Sequence, residues 1–132
     1  MPSFKVNVVT HTRKVIDQEA DYLRVRTTEG DLGILANHAP LVAELKMGQM
    51  EIENLEKNKR DSYFVSGGFL EISNNIATII ADEIVSIAEI DIELEEKEIV
   101  RIKNLIAQGD KNSQYLEKKL KEAQMKIELK RM

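Results

Sequence analysis

A chain of 132 residues, with 32 % charged and 5 % aromatic residues and no tryptophan, fits one compact domain or a small domain with an appendage, built on an aliphatic core. Its 23 acidic and 19 basic residues leave a net charge of -4, which argues against a general nucleic-acid binder. With no cysteine, disulfides, thiol nucleophiles and thiolate metal sites are excluded; His11 and His38 are the only imidazoles and form no His-x-x-x-His pair.

The opening residues Met1-Pro2-Ser3-Phe4-Lys5-Val6 enter a strand pattern almost at once, without a signal peptide's apolar stretch or a transit peptide's Arg/Ser-rich helix. No apolar run approaches the roughly 20 residues of a membrane helix. The expectation is a chain kept in a bacterial cytoplasm, reaching a membrane only through another protein.

Strand-like alternation follows. Phe4, Val6 and Val8 share one face, with Lys5 and Asn7 on the other; Leu23, Val25 and Thr27 alternate with Arg24 and Arg26. The stretch Glu29-Gly30-Asp31-Leu32-Gly33-Ile34 reads as a tight acidic turn and a short buried strand, and Asn37-His38-Ala39-Pro40 as a loop stiffened by its proline. Met50 and Ile52 alternate with Glu51 and Glu53. Gly67-Gly68, between Tyr63-Phe64-Val65 and Phe69-Leu70-Glu71-Ile72, marks a bulge or sharp bend, since no phosphate-loop pattern surrounds it. After the turn at Asn74-Asn75, the run Ile76–Ala81 is apolar enough for burial on both faces. Short strands with frequent turns predict an antiparallel sandwich or barrel.

The period changes near Ala88. Asp91 is placed to cap a helix whose first turns hold Glu93, Glu95 and Glu96, and Ile92, Ile99, Ile102, Leu105 and Ile106 recur at helical spacing. Gln108-Gly109-Asp110-Lys111-Asn112 stops it, Ser113 is the expected cap of a second helix, and Leu116, Leu120, Ala123 and Ile127 form a single apolar stripe. Two such helices make an antiparallel hairpin. The pairs Glu117/Lys121 and Glu122/Lys126 at i,i+4 support it by only about 0.2–0.5 kcal/mol each, so a weakly held, movable hairpin is expected. The last twenty residues carry six basic groups against three acidic ones, a net +3 suited either to an acidic partner or to ordinary solvation.

No catalytic constellation emerges. His38 has no serine or acid at triad spacing, so it reads as a loop histidine bonded to backbone or as a partner contact. Glu29 and Asp31 flank a glycine as part of a cation site could, but two carboxylates at a loop tip more often form a solvated turn or a polar protein contact. A small hydrolase using His38 with Asp31 or Glu29 lacks a nucleophile.

Several motifs, in order over the whole length, resemble the ε subunit of bacterial F-type ATP synthases: Glu29 to Pro40 with its acidic-Gly-acidic-Leu-Gly-Ile and His-Ala-Pro elements, Ser66-Gly67-Gly68-Phe69-Leu70-Glu71, Ala81-Asp82 and Ile90-Asp91. The resemblance implies an α+β chain: a ten-stranded antiparallel β-sandwich over residues 1–87 that docks on the rotor, then a regulatory two-helix hairpin over 88–132. It implies a non-catalytic central-stalk subunit, one copy per complex, peripheral on the cytoplasmic face of the bacterial cell membrane, with no required cofactor. Glu29, Asp31, His38, Ala39 and Pro40 would meet the γ subunit and the c-ring. Extended into the catalytic head, the hairpin would inhibit ATP hydrolysis, with Lys118, Lys119, Lys121, Lys126 and Lys130 contacting the α and β subunits. Some members bind ATP through Ile/Leu-Asp-x-x-Arg-Ala; Ile90, Asp91 and Arg101 match parts of such a site, but Leu94 and Glu95 replace the Arg-Ala, so weak or absent ATP binding is expected. A second reading is a free-standing β-sandwich adaptor whose hairpin binds an unrelated partner.

Overall fold

The computed structural model describes residues 2–132, which divide into two units at Ser86/Ile87. The first holds ten strands: β1 (Phe4–Val9), β2 (Lys14–Ala20), β3 (Tyr22–Thr27), β4 (Gly30–Ile34), β5 (Leu41–Leu45), β6 (Gly48–Asn54), β7 (Lys59–Val65), β8 (Gly68–Ser73), β9 (Ile76–Ala81) and β10 (Ile84–Ser86). They run in the order β10-β7-β6-β3-β5-β8-β9-β1-β2, with β4 also paired to β3. β3 and β5 meet through a single bridge, Thr27 opposite Leu45, so the path folds there into two five-stranded layers. The pairing is antiparallel as expected except for β1 and β9, which run parallel.

Alternation buries Phe4, Val6 and Val8 from β1 with Leu23 and Val25 from β3 and Leu70 from β8 in one aliphatic core. The chain changes layer at sharp corners. At Asp21, between β2 and β3, the main-chain amide donates to Glu53 O at 2.8 Å and the buried carboxylate accepts the Leu55 amide at 2.6 Å. The second corner is Gly67-Gly68, where φ is +144° and +138°. There β7, which pairs with β6 and β10, gives way to β8, which pairs with β5 and β9. A Cβ on Gly68 would collide with the carbonyl oxygen of Ile80, so glycine is required by both conformation and space.

Three strand expectations are corrected. β9 is not buried on both faces: Ala77, Ile79 and Ala81 point inward, but Ile76 and Ile80 are exposed because β9 contributes only one of its faces to the core. β4 is an edge strand with only Ile34 fully buried, not a buried strand. Glu51 is buried rather than solvent-facing, because Arg60 and Gln49 reach over it at 3.0 and 3.1 Å. That carboxylate first, and Glu53 after it, pushes the Arg60 guanidinium above its ordinary value.

The second unit starts with a 3-10 turn at Ile87–Glu89, followed by α1 (Ile92–Ala107) and α2 (Ser113–Arg131), which pack against each other. Asp91 caps α1 by accepting the Leu94 amide at 3.3 Å, and Gly109 at φ +78° takes the left-handed position after it. Ser113 is not the cap of α2: Asn112 occupies that position without a side-chain cap bond, and Ser113 is the first helical residue. Ile102 of α1 and Leu116, Ala123 and Ile127 of α2 are buried. Glu122 bonds Lys119 at 3.5 Å, and Lys126 reaches Glu95 on the other helix at 3.4 Å.

Candidate protein-docking interface

The β3–β4 hairpin turns in two residues, Thr28 and Glu29, with Thr27 opposite Gly30. The Thr27 hydroxyl makes the turn rigid by donating to Gly30 O at 2.7 Å and accepting the Glu29 amide at 3.1 Å. Gly30 supplies φ +121°, which leaves Glu29 exposed at the tip. Asp31 is exposed as well and takes Arg24 at 3.1 Å. At Gly33 a Cβ would lie 2.9 Å from the Tyr22 hydroxyl, so a side chain there would require the tyrosine ring to shift.

Because β4 and β5 meet β3 separately, an open cleft of about 340 Å³ separates them. Glu29, Asp31 and Leu32 line one wall and Val42 and Glu44 the other. The loop from Leu35 to Pro40 closes the far end of β4. About 13 Å of strand, at roughly 3.3 Å per residue, separates Gly30 from Ile34. Glu29 and Asp31 therefore stand at one end of the strand and His38, Ala39 and Pro40 at the other. His38 bonds the Ala39 carbonyl and Asp31 pairs with Arg24, so the imidazole and that carboxylate are engaged elsewhere and not with each other.

The loop is held by a residue whose sequence pattern indicates only a turn. Asn74 and Asn75 form the two-residue β8–β9 turn, both at positive φ. The Asn75 side chain accepts the Asn37 amide at 2.7 Å and donates to Ser3 O at 2.9 Å. His38 is half-buried and donates from Nδ1 to Ala39 O at 2.7 Å, while Ala39 and Pro40 are exposed. The outer face of the second layer is a further surface that the sequence reading missed. Glu44, Phe69, Ile80 and Val9 follow one another in register across it, with Phe69 and Ile80 each 54 % exposed and Val42 nearby at 71 %. A signal for it exists: these apolar residues fall out of phase with the core positions of their strands.

In the second unit, Ile90 is buried, Asp91 serves as the cap and Arg101 pairs with Glu98, while Leu94 is exposed. Among the five lysines, Lys118 and Lys121 are exposed. Lys119 bonds Glu122 and lies 5.6 Å from the Tyr115 ring centre, Lys126 pairs with Glu95, and Lys130 donates to Ala88 O at 2.9 Å. Among the described residues no cluster of three or more His, Asp or Glu is placed to hold a metal, and no helix is long and apolar enough to cross a membrane.

The architecture is that of a β-sandwich with a hydrogen-bonded acidic turn, a loop bonded to the β8–β9 turn and exposed apolar residues on one outer face, followed by a helical hairpin. Residues 3–87 match the family model for the β-sandwich domain of the ATP synthase delta/epsilon chain. Over 131 residues the chain is 43 % identical to the sodium ion specific ATP synthase epsilon chain of Propionigenium modestum, covering 98 % of this chain and 94 % of that one. It is 40 % identical over 107 residues to the ATP synthase epsilon chain of Leptospira borgpetersenii, covering 81 % and 83 %. A chain in the Euglena gracilis mitochondrial ATP synthase OSCP/F1/c-ring structure has the same fold, with a TM-score of 0.69, 24 % identity, and coverage of 97 % of this chain and 78 % of that one. The chain belongs to the ATP synthase delta/epsilon family, among the epsilon chains of the F-type enzyme, and is a non-catalytic subunit of the central stalk.

Proposed function

We propose that the β unit docks this chain on the rotor and that the helical hairpin restrains ATP hydrolysis. The observation that carries the docking part is the two-ended edge around β4, with exposed carboxylates at one end and the pinned His-Ala-Pro loop at the other. Glu29 and Asp31 face polar loops of the c-ring, and His38, Ala39 and Pro40 lie at the γ and ring contacts. The open face carrying Phe69 and Ile80 suits a subunit that works in permanent assembly. In the inhibitory state α2 extends toward the α and β subunits, where Lys118, Lys119, Lys121, Lys126 and Lys130 meet acidic segments. The chain works at the cytoplasmic face of the bacterial membrane, peripherally, in one copy per enzyme, whether the coupling ion is a proton or sodium. It needs no cofactor.

The test is a chain ending at Ser86, assembled into the enzyme. It is expected to bind γ and sustain coupled assembly while hydrolysis is released from inhibition. Failure to co-purify with γ would refute the division of labour, and unchanged inhibition would refute the role of the helices.

A further inference from the structure

Lys126 is the cation on which the closed hairpin converges. Its ammonium lies 3.4 Å from the Glu95 carboxylate of the opposite helix, with the two side chains only 15 % and 17 % exposed. It also acts on Glu98, one turn along α1, helping to hold that carboxyl below its ordinary range behind the larger effect of Arg101. Glu122 precedes it by one turn and is buried. Further out, Arg131 reaches Glu96 at 3.1 Å, with both side chains more than half exposed, and Lys130 donates to Ala88 O. The inner pair is thus shielded from water and salt, whereas the outer ion pair is solvated and contributes little.

We infer that the Lys126–Glu95 pair is an electrostatic latch that keeps α2 folded on α1 and, while closed, withholds Lys126 from any partner. The inference rests on the proposed inhibitory role of the lysines and adds its regulation: the cation offered to the catalytic head is the one the closed hairpin consumes. Opening therefore exchanges an internal carboxylate for an external one. The balance is set by the partner's acidic groups and by ionic strength, with no small ligand required. Removing Glu95 alone makes Lys126 available to the head and favours the open state; removing Lys126 opens the hairpin and also deletes the contact it would make.

The test uses the full-length chain and its assembled enzyme. Hydrogen exchange at the α2 amides around Ala123 to Ile127 should speed up about tenfold in Glu95→Gln and in Lys126→Gln, with the double variant no faster than either single one. Strictly additive effects, or no effect in either single variant, overturn the latch. In the assembled enzyme Glu95→Gln should inhibit hydrolysis more strongly than wild type, and Lys126→Gln should not. Coupled exchange with unchanged inhibition keeps the latch and rejects the lysine's role at the head. Stronger inhibition without coupled exchange rejects the latch.

Discussion

Asn75 and Asn37 stand 38 positions apart, and the side-chain oxygen of the first accepts the main-chain amide of the second at 2.7 Å. The same side chain ties down Ser3, so a single turn residue joins the N-terminal strand, the β8–β9 turn and the His38 loop. Asn75→Gly keeps the positive φ of 62° accessible but deletes both side-chain bonds. At about 0.5–1.5 kcal/mol for each of the two bonds, we expect a stability loss of about 1–3 kcal/mol in chemical denaturation. The more specific outcome is faster amide exchange in residues 35–40 and weaker binding to the rotor, with the β3–β4 turn unaffected. Equal loosening of both ends of β4 would show that Asn75 does not pin the loop.

The corner at Gly68 is less forgiving. Alanine there combines a backbone at φ +138° with a collision against the Ile80 carbonyl, and that carbonyl belongs to a paired strand that cannot step aside. We expect Gly68→Ala to cost about 3 kcal/mol or more. Gly30→Ala is the control, since φ is +121° but the space is open, and the cost should be about 1–2 kcal/mol. Similar denaturation midpoints for the two variants would mean that β9 yields at Ile80 after all.

Acid should loosen the hairpin through Glu98. The hydrogen bond from Arg101 holds this carboxyl below the ordinary glutamate value. A depressed carboxylate contributes stability above its unfolded pKa, and that contribution is lost as pH falls through the folded value, so the window lies below about pH 4.3. Both side chains are largely solvated, 58 % and 43 % exposed, so the effect is small and should fade in salt. An NMR titration should find the Glu98 midpoint below the ordinary value and returning upward in Arg101→Gln. A midpoint indifferent to that substitution would exclude Arg101 as the cause.

What the sequence made legible was whatever depends on local pattern. Period-2 alternation placed the core face of β1 and β3, and Asp91 and Gly109 marked both ends of α1, because caps and pleats are written within a few residues. The parallel β1–β9 pair was invisible, since 67 positions separate Val9 from Ile76 and nothing local specifies their partnership. The burial of Glu51 depends on Arg60 of the next strand, and the exposure of Ile80 on which face of β9 meets the core. At the β4 edge, the local pattern shows Glu29 and His38 only nine positions apart in one motif. Only the path of β4 shows that they mark opposite ends of one strand. Asn75 reads as a turn residue, which it is; its reach to Asn37 is a tertiary fact.

The helical unit also bears on nucleotide binding. The positions that would present Arg-Ala to a phosphate hold Leu94, 61 % exposed, and Glu95, whose carboxylate is engaged with Lys126. Arg101 is not idle either, since Glu98 takes its guanidinium by two N–H groups. A triphosphate would have to displace the carboxylate partner of each cation while standing beside Glu95, an electrostatic arrangement that opposes it. We therefore expect isothermal calorimetry on the isolated chain to detect no micromolar ATP affinity. Binding at that level would stabilise the fold by about 2.7 kcal/mol at a hundredfold excess of ligand over Kd, a rise in Tm that is easily measured; we expect a shift below about 1 kcal/mol at millimolar ATP. A large ATP-dependent rise in Tm, abolished by Arg101→Gln, would mean that the two helices form a nucleotide site despite Leu94 and Glu95.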